Sequence, residues 1–247
     1  MATPLFPDAM TPASPAVRQV HIGSHTLYLA NAYELVPRLG CFDGMITDPP
    51  YKINVSGGGR FRAARQHTTE IGKRGLDRGF DLEILSWKFA YGIVCFCHND
   101  QLGNVITRLN TGFHRHAVIS WHKDNPMPVA NKHYLPDTEF YVHAWQQGYA
   151  PIGELKDKAR HITTAVGKSP FSHPTVKPDA VMDKILANVP GETICDPFMG
   201  TGSTGVAAIK AGRQFTGIEI DPEFFEIACQ RIRTAVAKHE GFDGANA

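Results

Sequence analysis

The feature that most limits the fold of this 247-residue chain is a glycine-rich turn close to its C-terminal end. Asp196-Pro197-Phe198-Met199-Gly200-Thr201-Gly202-Ser203-Thr204-Gly205 lies between an expected strand at 193–195 and an expected helix at 203–211. Gly200, Gly202 and Gly205 fit G-x-G-x-x-G, and Glu219 closes the next expected strand, 215–220. Glycines in this setting let the backbone approach a ligand, and the acid one strand later sits where it can accept hydrogen bonds from a ribose. A single helix, 222–239, follows. A parallel sheet of this type needs more strands than that, so they are expected from the N-terminal half. The expectation is a three-layer, Rossmann-like α/β fold with a circularly permuted, mixed but mostly parallel sheet.

The remaining pattern alternates in the same way. Strands are expected at 25–30, 43–47, 93–97, 116–121 and 139–145, and helices at 33–39, 81–90, 101–109 and 177–188. Residues 52–80 show no period and read as a long loop. Residues 1–17 contain Pro4, Pro7, Pro12 and Pro15 and read as a disordered tail. That leaves 18–247 as a single domain. Mean hydropathy of −0.22 and the lack of a long apolar run give no membrane-spanning segment, and no signal peptide is evident. Five irregularly spaced cysteines fit reduced thiols in a cytoplasm. Cys95-x-Cys97-His98 has no second pair at ligand spacing, so no metal is expected.

Two short motifs carry chemistry. Asp196-Pro197 precedes the glycines where a dinucleotide fold usually has apolar residues. A carboxylate there suits an ammonium better than a pyrophosphate, which favours S-adenosylmethionine, with NAD as the alternative. Asp48-Pro49-Pro50-Tyr51 ends the strand at 43–47, on the edge where ligands bind in such sheets. An exocyclic amine is a poor nucleophile because its lone pair is delocalised into the ring. Asp48 and the Pro49 carbonyl can each accept one of its N–H bonds, and Asp48 can stabilise the positive charge that develops on nitrogen. Tyr51 offers a face on which an extruded base can stack.

With these motifs together, the chain resembles the DNA amino-methyltransferases of bacteria and phages, in the permuted order with D-P-P-Y before the cofactor loop. The resemblance runs from about His25 to Arg233. It rests on T-D-P-P-Y at 47–51, H-P-T-V-K-P at 173–178, D-P-F-M-G-T-G-S-T-G at 196–205 and G-I-E-I-D-P-E-F-F at 217–225. It implies that Asp196 holds the methionine ammonium, Glu219 the ribose, and that Phe198 packs on the cofactor. His173, Thr175 and Lys177 are implied near the methionine end, with Asp48, Gly200, Gly202, Ser203, Thr204 and Ile220 in the same site. The family often has Gly-Asp where Ala30-Asn31 stands, which would put the Asn31 amide near the adenine, and often Gln in place of Val176. Asp48 rather than Ser at the head of the motif is typical of enzymes acting on adenine N6. Cytosine N4 is the alternative target, and a catalytically silent nucleic-acid-binding subunit is the alternative outside the enzymes. Protein-glutamine and ribosomal-RNA methyltransferases usually carry Asn at the Asp48 position.

The implied partner is double-stranded DNA. Residues 52–80 hold seven basic residues, Lys52, Arg60, Arg62, Arg65, Lys73, Arg74 and Arg78, against Glu70 and Asp77. That segment is therefore +5 in a chain whose total is +1. Trp121 and Lys123 resemble a loop that borders the target-base pocket, and 146–172 is a candidate target-recognition segment. A homodimer, a cognate restriction endonuclease and a bacterial cytoplasm, with the gene bacterial or phage-borne, complete what the resemblance implies.

Overall fold

In the computed structural model, residues 17–50, 79–126, 134–166 and 177–241 are described. Nine strands among them form one sheet: β1 (Arg18–Ile22), β2 (His25–Leu29), β3 (Phe42–Thr47), β4 (Ala90–Cys97), β5 (Arg115–Lys123), β6 (Thr138–Trp145), β7 (His161–Thr164), β8 (Thr193–Asp196) and β9 (Gln214–Glu219). Five α-helices accompany them: α1 (Ala32–Leu39), α2 (Asn99–Leu109), α3 (Asp179–Asn188), α4 (Ser203–Lys210) and α5 (Pro222–His239).

The strand order is β1-β2-β9-β8-β3-β4-β6-β5-β7. From β2 to β4 every pairing is parallel. Antiparallel pairs join β1 to β2, β4 to β6 and β6 to β5, and β7 adds to β5 in parallel. The glycine-turn strand β8 thus lies between β9, from the C-terminal end, and β3, from the N-terminal half. This is the permuted sheet expected from the glycine turn.

The central strands read as unbroken apolar runs because both of their faces are covered. One face packs Ile46, Phe96, Ile194 and Phe215 under α3, α4 and α5. The other packs Met45, Ile93, Cys95 and Ile218 under α1 and α2. Local chemistry starts the helices. Asn31 caps α1 by accepting from the Tyr33 amide, His98 and Gln101 form a reciprocal capping box on α2, and Asp221 caps α5 just before Pro222.

The helix expected at 81–90 does not form. Only Leu82–Ile84 make a 3-10 turn, capped by Asp81. The Phe42 amide already donates to the Phe89 carbonyl at 2.9 Å, so strand pairing claims this segment before a second helical turn can close. Two short strands, β1 and β7, were not expected. The second lies inside 146–172, whose residues 161–164 join the sheet edge. The tail at 1–16 lies outside the described residues.

Candidate active site

Parallel strands β2, β9, β8, β3 and β4 all end at one edge, where their carbonyls point outward and ligands bind in such sheets. Asn31 follows β2, Glu219 ends β9, Asp196 ends β8 and Asp48 follows β3. Residues far apart in sequence therefore line one crest. Neighbouring positions are fixed by the ladder, which pairs Leu29 with Glu219 and Asp196 with Gly217.

The glycine turn is built around two carboxylates. Asp196, 2% exposed, accepts from the Phe198 amide at 3.0 Å and from the Thr204 hydroxyl at 2.6 Å. Glu219 accepts from the Gly200 amide at 2.8 Å with one oxygen, and from the amides of Ile220 and Asp221 at 2.9 and 2.8 Å with the other. Gly200 and Gly202 have φ of 52° and 83°, which side chains with a Cβ rarely adopt. Gly202 is also the N-cap of α4, so the turn leads straight into a helix N-terminus. Burial pushes Asp196 up to about 7, with the charges of Asp48 and Glu219 adding to it, against the hydrogen bonds from Thr204 and Phe198. Burial likewise pushes Glu219 up to about 7, with the Asp221 charge adding, against the amide hydrogen bonds it accepts. Three acids gathered at one edge form a site whose electrostatics favour a cation.

Asp48 is held from the other side. The ammonium of Lys177 lies 2.7 Å from Asp48 and 3.2 Å from Glu139, and Lys123 lies 2.6 Å from Glu139. Lys177 is only 5% exposed and also sits 4.7 Å above the Phe96 ring. Burial pulls its ammonium down, but Asp48 and then Glu139 more than offset this and leave it above the usual lysine value. Burial pushes Glu139 up, yet Lys177 and then Lys123 outweigh it, so Glu139 ends below the usual carboxylate value. Alternating charges therefore run Asp48, Lys177, Glu139, Lys123 from β3 to β5.

A profile of the DNA methylase family matches residues 42–230. The chain belongs to the DNA methylase family. Among curated methylases, the Type II methyltransferase M2.DpnII of Streptococcus pneumoniae is 32% identical over 132 residues, covering 46% of this chain and 49% of that protein. The DNA adenine methyltransferase YhdJ of Escherichia coli (strain K12) is 30% identical over 133 residues, covering 53% of this chain and 38% of that one. These matches span about half or less of the relatives' own length. Among solved structures, the M1.HpyAVI–SAM complex superposes with a TM-score of 0.61 at 25% identity, covering 83% of this chain and 98% of that one. The cytosine-N4-specific PvuII DNA methyltransferase shares the fold, with a TM-score of 0.61 at 14% identity, covering 88% of this chain and 91% of that one.

In this chain the sheet edge brings together Asp48, Pro49, Lys177, Asp196, Gly200, Gly202, Thr204 and Glu219. Phe198 stands beside them, 5.7 Å from the Tyr33 ring and 6.2 Å from the Phe80 ring. Pro50 continues from Pro49, and Ile220 follows Glu219 with its side chain exposed. Ser203 opens α4, where its hydroxyl accepts from Arg231 at 3.4 Å. Asn31 is at the edge, but its carbonyl caps α1 and its amide donates to Glu34 at 3.0 Å. Trp121 does not border a pocket with an open face. It is 2% exposed, and its indole N–H donates to Thr164 at 2.9 Å. Lys123 likewise points to Glu139 rather than to solvent. Tyr51, Lys52, Arg60, Arg62, Arg65, Lys73, Arg74, Arg78, His173 and Thr175 lie outside the described residues. Sequence reading missed Glu139. Its signal was an acid near the start of a largely apolar strand, where a charge is retained only with a partner.

Proposed function

We propose that this chain is an S-adenosylmethionine-dependent DNA methyltransferase that modifies adenine N6. The carrying observation is the single edge that joins Asp48 to the Asp196–Glu219 turn. The fit to the cofactor rests on charge and on room. Two buried carboxylates pushed up to about 7 are relieved by a ligand bearing an ammonium and a sulfonium. The positive-φ glycines leave the turn open to close approach. Asp196 would hold the ammonium, Glu219 the ribose, and Phe198 would pack on the cofactor, which supplies an electrophilic methyl group when bound.

The chain's own residues do the rest. Asp48 and the Pro49 carbonyl accept the two N–H bonds of the target amine and turn its lone pair out of conjugation. The carboxylate of Asp48 faces the charge that grows on nitrogen, in a setting partly screened from water. Lys177, itself held by Glu139 at 3.2 Å, orients the Asp48 carboxylate through the contact at 2.7 Å. Tyr51 stacks on the extruded base, and the +5 segment at 52–80 meets phosphates of the duplex.

The relatives' names support DNA as substrate, and that of the Escherichia coli protein supports adenine. A homodimer, a cognate endonuclease and a bacterial cytoplasm belong to the same reading. Among the described residues no helix is long and apolar enough to cross a membrane. The test is to incubate the protein with cofactor and duplex DNA, digest to nucleosides and separate them by mass spectrometry. N6-methyldeoxyadenosine is expected. N4-methyldeoxycytidine alone would move the target to cytosine, and no methylated nucleoside would overturn the reading.

A further inference from the structure

The glycine turn rests on α5, and the side chains that meet it come from one face of that helix. Ala228, Arg231 and Ile232 stand at i, i+3 and i+4 on α5. A Cβ added to Gly202 would lie 3.2 Å from the Ala228 Cβ, and one added to Gly205 would lie 2.7 Å from Ile232. The turn backbone therefore lies directly against the helix. Arg231 is the polar member of this face. Its Nη1 donates to the Thr201 carbonyl at 2.7 Å, to the Thr201 hydroxyl at 3.0 Å and to the Ser203 hydroxyl at 3.4 Å. Oxygens from the turn and from the first residue of α4 thus converge on one guanidinium nitrogen.

The contact matters because of where it falls in the backbone. Thr201 stands between Gly200 and Gly202, the two positive-φ residues of the turn. Glycines rotate at little steric cost, so local sterics alone do not fix the peptide planes on either side of Thr201. Hydrogen bonds must do so. The Gly200 amide donates to Glu219 at 2.8 Å, and the Gly202 amide donates to the Met199 carbonyl at 2.8 Å. The other end of the Thr201–Gly202 peptide, its carbonyl, is held by Arg231. Thr201 is 3% exposed, so a carbonyl deprived of the guanidinium would be left buried without that donor. The peptide would turn to relieve it, and the Gly202–Met199 bond, made by the same peptide plane, would be disturbed with it.

We infer that Arg231 is a positioning residue for cofactor binding, which sets the glycine turn in the shape that receives S-adenosylmethionine. The inference rests on the cofactor reading proposed above and adds to it a residue outside the strand ends. Asp196 and Glu219 supply the charge of the site, and Arg231 holds the backbone between them in register with α5. The Asp48 carboxylate is held separately, through Lys177 and Glu139. Loss of Arg231 should therefore weaken cofactor binding and leave the transfer step itself largely intact once the cofactor is bound. A lysine at this position keeps a cationic donor on a stem of similar length, so it should replace part of the contact, whereas methionine cannot.

Calorimetric titration of the full chain with S-adenosylhomocysteine, beside steady-state methyl transfer to duplex DNA, tests it. Arg231 is only partly buried, and methionine and lysine are both good helix formers, so α5 should form in either variant. Arg231→Met should raise the dissociation constant, and the KM for S-adenosylmethionine, by about tenfold or more. Its kcat at saturating cofactor should stay within about threefold of the unaltered chain. Arg231→Lys should bind at least about threefold more tightly than Arg231→Met. A methionine variant that melts lower but binds S-adenosylhomocysteine within about twofold of the unaltered chain would overturn the inference, because a contact serving stability alone behaves in that way. A fall in kcat with KM unchanged, or a lysine variant no better than the methionine one, would overturn it equally. If the unaltered chain itself binds no S-adenosylhomocysteine, the cofactor reading falls and the role of Arg231 falls with it, a result distinct from normal binding that Arg231→Met leaves untouched.

Discussion

Lys177 is the residue on which the charge row at the crest turns, and Lys177→Met removes its charge while keeping most of its stem. The change leaves Asp48 and Glu139 without the ammonium at 2.7 and 3.2 Å, in a region where Lys177 itself is 5% exposed. Breaking a buried pair by deleting one partner costs about 3–5 kcal/mol, since the other charge stays desolvated. In a chain of this size about 1 kcal/mol moves Tm by roughly 2–4 °C, so the variant should melt roughly 6–20 °C lower at neutral pH. The loss has a pH signature. Glu139 lies below its ordinary value in the folded chain, so its contribution is present above the unfolded value of 4.5 and fades as pH falls through the folded one. The variant keeps the Lys123 contact at 2.6 Å but loses the larger Lys177 part of that contribution, so its Tm deficit should shrink as pH drops below about 5. Thermal unfolding followed by circular dichroism from pH 4 to pH 8 reads both effects. A deficit under about 2 °C at neutral pH, or one that does not change with pH, would refute the role assigned to this row.

Cofactor binding should itself depend on pH. Asp196 and Glu219 titrate at about 7 in the folded chain, above their ordinary 3.8 and 4.5, so the ligand-free chain loses stability as pH rises through that window. The ligand's ammonium recovers it at Asp196 only when that carboxylate is ionised, so S-adenosylhomocysteine, which keeps the ammonium, should bind about eightfold more weakly at pH 6 than at pH 7.5; a flat calorimetric profile would count against the role assigned to Asp196. Gly217→Ala would put a Cβ 2.3 Å from the Met199 sulfur and 2.7 Å from the Phe215 ring, directly behind the glycine turn. It should cost about 1–3 kcal/mol in denaturant unfolding and weaken cofactor binding as the turn shifts. Each Arg→Ala change at Arg60, Arg62 or Arg65 that removes a phosphate contact should lower the salt slope of DNA binding by about 0.9, measured by fluorescence anisotropy.

The legible parts of this chain were those where backbone demands leave few residue choices. Glycines at positive φ, prolines that end β3, and apolar runs under two helical layers all mark the sequence directly, so the permuted sheet and the positions of Asp48, Asp196 and Glu219 could be read in advance. Edge strands mark it weakly. His161–Thr164 spans four residues with one large apolar side chain, and Arg18–Ile22 directly follows a proline-rich stretch, so in each the alternation is too short to stand out. The segment at 81–90 has an apolar spacing compatible with a helix, and only long-range pairing of Phe42 with Phe89 decides otherwise. Pairwise electrostatics were invisible for the same reason. Glu139, Lys177 and Asp48 lie on three elements that meet only once the sheet is formed, and nothing in their spacing announces it. The pull of Lys123 toward Glu139 likewise could not be seen from a loop resemblance.

The most direct test of methyl transfer at this edge is the single-turnover rate of Asp48→Ala against the unaltered chain, with saturating cofactor and duplex DNA. On the proposed reading, Asp48 meets the amine and the charge growing on it, while Asp196, Glu219 and the glycine turn hold the cofactor. The variant should therefore bind S-adenosylhomocysteine normally and transfer methyl groups at least about 10²-fold more slowly. Transfer within about twofold of the unaltered rate would contradict the assignment of this edge as the active site.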